Sequence, residues 1–199
     1  MRAITSIGEV GITAGDRQFL FRPSFQAMAQ LDNPVESYAL LFQPEYSGEN
    51  ENMRKRVERS RFIAAIDVMQ ACCEDDIGIL IGYTGNTIHT WRMGLMPFKD
   101  CVRIARLVIT YGLIGKVEKE DYEDKGEYSD KFQPEKFVSV AVAHLGMSER
   151  EAWNLTMTGF ILAMRAKFPN EKTKSLPSIK EHDANMAWLA KVNKLRDKK

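Results

Sequence analysis

The chain has 199 residues, of which 44% are hydrophobic, and its 28 Lys and Arg nearly balance 27 Asp and Glu. A chain of this length can bury roughly 70% of its unfolded surface without disulfides, and three cysteines, two of them adjacent at Cys72 and Cys73, form neither a secreted disulfide framework nor the spaced pairs of a zinc site. No apolar run approaches the roughly 18 residues of a membrane span, and the residues after Met1 lack a signal-peptide core, so we expect neither a secreted nor a membrane protein.

The N-terminal half begins with a predicted β-hairpin. Residues 3–22 read as two strands around the tight turn Ala14-Gly15-Asp16. Pro23 and Pro34 each fit the first turn of a short helix, because proline is tolerated where a helix starts. A polar loop from Pro44 to Asn52 follows.

A long amphipathic helix is predicted from Met53 to about Glu74, where apolar residues recur at intervals of three and four. Its first half is basic. This pattern fits a solvated helix end, and contact with nucleic acid is the alternative. Residues 77–94, rich in glycine and threonine and without a clean period, predict short helices and turns. The basic residues are Arg54, Lys55, Arg56, Arg59 and Arg61.

Helices also dominate the second half. One begins at Pro97 or Phe98 and ends at the glycines 112 and 115, and another runs from Pro134 to Gly146. The pattern Ser148-x-x-Glu151 is a capping box. It opens a helix that Pro169 ends. The apolar residues expected on one face of this helix are Trp153, Met157, Phe160, Ile161, Met164 and Phe168.

Charge divides this half further. Residues 118–130 contain seven acidic residues and two lysines with almost no aliphatic side chain, which is typical of a solvated linker. Residues 165–199 contain ten Lys or Arg against four Asp or Glu, and a second capping box, Ser178-x-x-Glu181, leads into a final helix.

The predicted fold class is mainly α, a helical bundle with a small N-terminal β-hairpin and a C-terminal helical extension. The predicted divisions are a hairpin and helical body at 1–116, an acidic linker at 117–132, a helical pair with a Trp-containing motif at 133–169, and a basic helix at 170–199.

The side chains that carry catalysis do not converge in the sequence. His89, His144 and His182 lie in separate segments outside any zinc or Cys-His motif. The cysteines fit core positions, and the acids at 74–76 lack the spacing of a calcium loop. We expect no enzyme activity, no cofactor and no bound metal.

One stretch has the order of a helix-turn-helix. Between Ile81 and Leu107 a glycine turn precedes Thr84–Trp91, and an aliphatic helix follows, as in phage repressors. In this alternative Asn86 to Trp91 would enter the major groove of DNA. Only Arg92 would anchor phosphate there, and residues 1–164 are net acidic, which removes most of the counterion-release free energy.

Several features together resemble a known family. They are the hairpin, the Arg22-Pro23-Ser24-Phe25 junction, the double cysteine followed by acids, the Met96-Pro97 helix start that ends in Tyr111-Gly112-Leu113-Ile114-Gly115, and a late Trp-centred helix. Over most of residues 4–169 the chain resembles the tail assembly chaperones of long-tailed bacteriophages, which are encoded beside the tape-measure protein. The most specific segment is 147–160. It is similar to a partner-binding motif of Trp, two residues, Thr and an aromatic residue, although Gly159 stands where an acidic residue is expected.

The resemblance implies a non-catalytic protein that keeps the tape-measure protein soluble in the host cytoplasm and is absent from the mature virion. It also implies self-association and contact with the tail tube protein, with no membrane and no nucleic acid partner. Methionine suits such a surface because it repacks against varied partners; the alternative is that the ten methionines fill the core. The candidate partner-binding residues are Trp153, Met157, Phe160, Met164, Met186 and Trp188.

Overall fold

The computed structural model describes residues 2–84, 91–116 and 131–169. They are mainly helical with a small antiparallel hairpin near the N-terminus, which confirms the predicted fold class. Met1–Met164 form one compact unit and Arg165–Lys199 a second. The predicted boundary at 117–132 therefore lies inside the first unit. No helix in the described part of the chain is both long and apolar enough to cross a membrane.

The N-terminal sheet is the predicted hairpin. Strand β1 (Val10–Ala14) pairs antiparallel with β2 (Arg17–Phe21), and the register leaves Gly15 and Asp16 as a two-residue turn. Gly15 has a φ of 59°, the left-handed conformation that such turns require. The strand prediction began too early, because Thr5–Ile7 form a 3-10 turn that precedes β1.

Two short helices follow the hairpin, and each starts with a side-chain cap. Helix α1 (Phe25–Ala29) begins after Ser24, whose hydroxyl accepts a hydrogen bond from the Ala27 N–H. Helix α2 (Pro34–Phe42) begins after Asn33, which caps the Glu36 N–H in the same way. These caps satisfy amides that have no partner inside the helix.

The main core lies between two long helices. Helix α3 (Glu51–Cys72) packs against α5 (Phe98–Ile109), which continues as a π-helical turn to Ile114. Gly115, with a φ of 81°, then ends the helix. The predicted apolar faces meet here, so both helices are confirmed. The largest fully buried side chains of this core are Phe19, Phe21, Met28, Leu41, Met69, Ile77, Leu80, Ile81 and Ile109.

A second, smaller hairpin was not predicted. Helix α4 (Gly78–Ile81) leads into β3 (Gly82–Thr84), which pairs with β4 (Trp91–Met93). At Gly94 the chain passes so close to α4 that a Cβ would overlap the Leu80 carbonyl. Three-residue strands have too little alternation to be recognised in a sequence, and this close backbone packing is a tertiary feature.

The C-terminal part of the first unit contains three helical segments. Helix α6 (Pro134–Val140) continues as a π-helical turn to Leu145 and ends at Gly146, as predicted. The capping box opens α7 (Glu149–Trp153), with the Ser148 hydroxyl bonded to the Glu151 N–H and the Glu151 carboxylate bonded to the Ser148 N–H. A second helix, α8 (Met157–Lys167), follows.

The prediction of one continuous helix behind the capping box was wrong, because the chain is interrupted at residues 154–156. The Leu155 carbonyl accepts a hydrogen bond of 2.8 Å from the Phe25 N–H, and Thr156 pairs with Ser24 as an isolated bridge. The Thr156 hydroxyl then accepts from the Gly159 N–H at 3.0 Å. The contacts with the start of α1 supply partners for backbone groups that lose their helical partners over these three residues.

Candidate partner-binding groove

A groove of about 1140 Å³ lies between the end of α2, the first half of α3 and the outer face of α5. Its floor is largely apolar and partly exposed. Phe42 is 43% exposed and Leu107 is 42% exposed, although both are large apolar side chains. The ring of Phe62 lies 5.1 Å from that of Phe98 and supports the floor from α3. The apolar residues that line it are Phe42, Val57, Phe98, Val102, Ile104 and Leu107.

The same groove is rich in positive charge. Six basic side chains line it against two acidic ones, Glu45 and Glu58. Arg103 forms an exposed ion pair of 3.4 Å with Asp100, a geometry that contributes little in solvent. The potential in the groove is therefore positive. The basic lining residues are Arg54, Arg61, Lys99, Arg103, Arg106 and Lys116.

Two of these arginines are held in place by the C-terminal end of α2. Nη2 of Arg61 donates to the carbonyls of Gln43 at 2.8 Å and Pro44 at 3.2 Å. Nε of Arg106 donates to the Leu41 carbonyl at 2.8 Å, and its guanidinium lies over the Phe42 ring at 5.5 Å. Cations suit this position because the last carbonyls of a helix carry partial negative charge.

Arg61 is the most unusual residue of the groove, because it is only 5% exposed. Its Nε has no hydrogen-bond partner, and no carboxylate of the described chain lies within 4 Å of its guanidinium. Buried arginine is rare without a paired acid, because removing a charge from water is costly. The α2 carbonyls therefore compensate this charge only in part.

The sequence matches the model of a protein family. A model of a family of unknown function, DUF6246, matches residues 21–184. The chain belongs to the DUF6246 family. No curated protein and no solved structure matches it. The matched range includes every residue that lines the groove.

In this DUF6246 protein, two of the predicted partner-binding residues belong to a second core. Met157 is 5% exposed and Phe160 is 8% exposed. The Phe160 ring lies 5.9 Å from that of Phe25 and 5.6 Å from that of Phe137, both edge to face. These two residues are thus corrected from surface to core, because the face of α8 that carries them is covered by α1 and α6.

The other predicted residues divide into two groups. Trp153 and Met164 are half-buried at the edge of the same core. Met186 and Trp188 lie outside the described residues, as do residues 117–130 of the acidic linker and the helix expected at 170–199. The structure therefore does not bring the six candidates together in one surface.

The local structure at residues 82–84 and 91–93 differs from the one that the helix-turn-helix alternative requires. It requires Asn86 to Trp91 to be helical, but Trp91 begins strand β4, and the chain before Gly85 is strand β3. Residues 85–90 themselves lie outside the described part of the chain.

The cysteines occupy positions typical of small apolar residues. Cys72 and Cys101 are buried and Cys73 is half-buried. Burial raises the pKa of all three thiols, which disfavours the reactive thiolate. Within the described residues, no three His, Cys, Asp or Glu side chains are grouped as metal ligands.

Sequence reasoning missed the groove itself. Its signals were present, since α3 begins with a run of basic residues and Arg103 and Arg106 lie off the apolar stripe of α5. Neither signal shows that the two basic faces border the same apolar floor. That juxtaposition depends on how α2, α3 and α5 pack.

Proposed function

We propose that this protein is a phage tail assembly chaperone, a non-catalytic protein that binds the tape-measure protein and keeps it soluble during tail assembly. It acts in the host cytoplasm and is absent from the mature virion. The sequence resemblance over residues 4–169 suggests this role. The structural observation that carries it is the partly exposed apolar floor between α2, α3 and α5.

The openness of the groove to solvent supports a macromolecular occupant. Small-molecule pockets bury most of their ligand, whereas Phe42 and Leu107 in this groove are 43% and 42% exposed between helices. Helical segments bind such grooves by placing an apolar face on the floor. A tape-measure protein, long and helical, offers segments of that kind.

Four further apolar side chains are exposed on and next to the second hairpin. Tyr83, Met93 and Leu95 are 57%, 53% and 67% exposed, and Ile79 on the adjoining helix α4 is 43% exposed. The strand register places Tyr83 and Met93 on opposite faces of the hairpin. We therefore assign these side chains to separate, modest contacts in self-association or with the tape measure.

Co-expression with the tape-measure protein of the same phage tests the proposal. The wild-type chain should raise the soluble fraction of the tape measure and purify with it. Leu107→Asp should weaken both effects, because it places a charge on the groove floor. Leu162→Asp is the matched control, since Leu162 is 44% exposed on α8 and lies outside the groove.

The result also decides between surfaces. If wild type neither solubilises nor retains the tape measure, the proposed function is wrong. If both aspartate variants behave as wild type, the chaperone function stands and the groove is not its site. Trp153→Ala and Met164→Ala then test the half-buried edge of the second core, which does not require opening that core.

A further inference from the structure

We infer that the groove binds an amphipathic helix whose polar face is acidic, with a carboxylate of that helix next to Arg61. The inference deepens the proposed function and rests on its use of the groove as a partner site. It concerns the chemistry of the bound segment, which neither the sequence resemblance nor the DUF6246 family specifies.

Arg61 carries a charge that favours an acidic partner. Its guanidinium lines the groove, is 5% exposed and has no carboxylate within 4 Å among the residues described. The carbonyls of Gln43 and Pro44 engage only Nη2, and Nε has no partner among the described residues. A carboxylate from outside would compensate a charge that has no counter-ion in the described part of the chain. Such charge-assisted contacts gain strength where water is excluded.

The charge around the floor favours the same kind of partner. Arg54 and Lys99 are exposed at opposite sides of the groove, on α3 and α5, and Lys116 lies near its end. With six cations and two carboxylates in the lining, acidic segments are attracted and basic ones repelled. Rim charges of this kind act on the rate of association and on choice of partner more than on final affinity.

The apolar floor favours a protein helix over nucleic acid. Phosphate binding needs cations and gains nothing from Phe42, Val57 or Leu107 beneath them. An amphipathic helix uses both parts of the site. Its apolar face covers the floor while its acidic flank meets the rim. Helix α5 is 12 residues long, so its wall of roughly 18 Å accommodates about three turns of a bound helix.

Two designed peptides test the inference directly. Both have roughly 18 residues, which exceeds the length at which isolated helices are marginal in water, and both carry the same leucine face. One has glutamate on its polar face and the other has lysine. Fluorescence anisotropy with the full chain should show the glutamate peptide binding at least about tenfold more tightly at about 50 mM salt, with the difference shrinking at about 500 mM.

Matched substitutions on α3 locate the binding. Arg54→Glu changes a rim residue, and Arg59→Glu makes the same charge change at an exposed position of the same helix outside the groove. Arg54→Glu should weaken the glutamate peptide at least about fivefold, and Arg59→Glu less than about twofold. Arg61→Met should weaken it further while circular dichroism remains that of wild type. If Arg61→Met unfolds the chain, Lys99→Glu replaces it.

The outcomes separate the inference from the proposed function. Equal binding of the two peptides, or equal effects of the two α3 variants, overturns the inference even when the tape measure is still solubilised. Preferential binding of the glutamate peptide without any effect on the tape measure supports the inference and removes the chaperone function.

Other occupants are tested in the same assay. Displacement of the glutamate peptide by duplex DNA, with binding of the DNA unchanged in Leu107→Ala, which removes apolar floor without adding charge, would make the groove a nucleic-acid site and overturn the inference. A dimer that Arg54→Glu abolishes would make a second copy the occupant.

The chain's own acidic residues at 118–130 are tested by changing their seven carboxyl groups to amides. A rise in peptide affinity above about fivefold would identify them as the occupant instead.

Discussion

Phe160 has the central place in the smaller core, although sequence reasoning assigned it to a surface. Its ring meets Phe25 and Phe137, and the Phe137 ring stacks on Phe132 at 5.8 Å. Phe25, which is fully buried, connects this cluster to the N-terminal part of the unit. These aromatic rings therefore fill part of the smaller core and also join α8 to α1.

Phe160→Ala should accordingly destabilise the protein by about 3–5 kcal/mol, because it removes a buried ring and leaves a cavity. Urea unfolding followed by tryptophan fluorescence measures the change. Leu162→Ala is the control on the same helix, where a 44% exposed side chain is lost. Its expected cost is below about 1 kcal/mol. Equal costs for the two variants would contradict the position of Phe160.

A second residue-scale prediction concerns Asp67 on α3. Partial burial raises the pKa of this carboxyl group, and the charge of Asp32 raises it further. A carboxyl group whose folded pKa is raised destabilises the folded state once it is ionised. The contribution of Asp67 to stability is thus most favourable below the unfolded pKa of about 3.9, and this contribution is lost as pH rises through the folded pKa.

Asp67→Asn should therefore raise the melting temperature at pH 7 and have little effect at pH 3, as followed by circular dichroism. Asp32→Asn should act in the same direction and less strongly, because the charge of Asp32 is the smaller of the two causes. If Asp67→Asn lowers the melting temperature at pH 7, the Asp67 carboxylate stabilises the folded state and this prediction is wrong.

At the scale of elements, local signals predicted the helices well. Proline starts, polar caps and glycine stops located α2, α5 and α6, and the capping box located the start of α7. Each of these signals acts within about four residues of the helix end. They are therefore visible in a sequence without knowledge of the fold.

What could not be predicted depends on contacts between distant residues. The interruption before α8 exists because the start of α1 bonds to Leu155 and Thr156, more than a hundred residues away. Likewise, Arg61 and Arg106 reach the groove because the end of α2 supplies their acceptors. The chain spacing of these pairs carries no periodic signal, so the groove was missed and the apolar face of α8 was assigned to a partner.

The capping box gives an element-scale prediction. Ser148→Ala should cost about 1 kcal/mol, because one amide of the first turn of α7 loses its acceptor. The hydrogen bonds from the Ser148 side chain and backbone lower the pKa of Glu151. A depressed folded pKa contributes stability above the unfolded pKa of about 4.3, and this contribution is lost as pH falls through the folded pKa.

The difference between wild type and Glu151→Gln, measured by thermal unfolding at several pH values, should therefore be present at pH 7 and should shrink toward pH 3. Ser148→Ala should reduce that pH dependence, since it removes the larger cause of the lowered pKa. A difference that is constant with pH would show that folding does not change the pKa of Glu151 and would contradict this prediction.

At the scale of the whole molecule, the two described cores are built from residues of the first unit. The larger core lies between the hairpin, α3 and α5, and the smaller one joins α1 to α6 and the first half of α8. The described members of both cores come before Arg165, where the second unit begins. The partner contact expected of Met186 and Trp188 in the basic stretch stays a prediction.

A chain that ends at residue 169 separates these roles, because it keeps helix α8 complete to Lys167. Its melting temperature should lie within about 4 °C of the full chain, a difference that corresponds to about 1 kcal/mol at this size. A larger loss would mean that residues 170–199 stabilise the first unit.

If stability is kept and the shortened chain still solubilises the tape-measure protein, Met186 and Trp188 are not required, and binding belongs to the groove or to the second hairpin. If stability is kept but solubilisation is lost, the basic stretch carries the contact, and the Met186→Ala and Trp188→Ala variants of the full chain decide between its apolar residues and its charge.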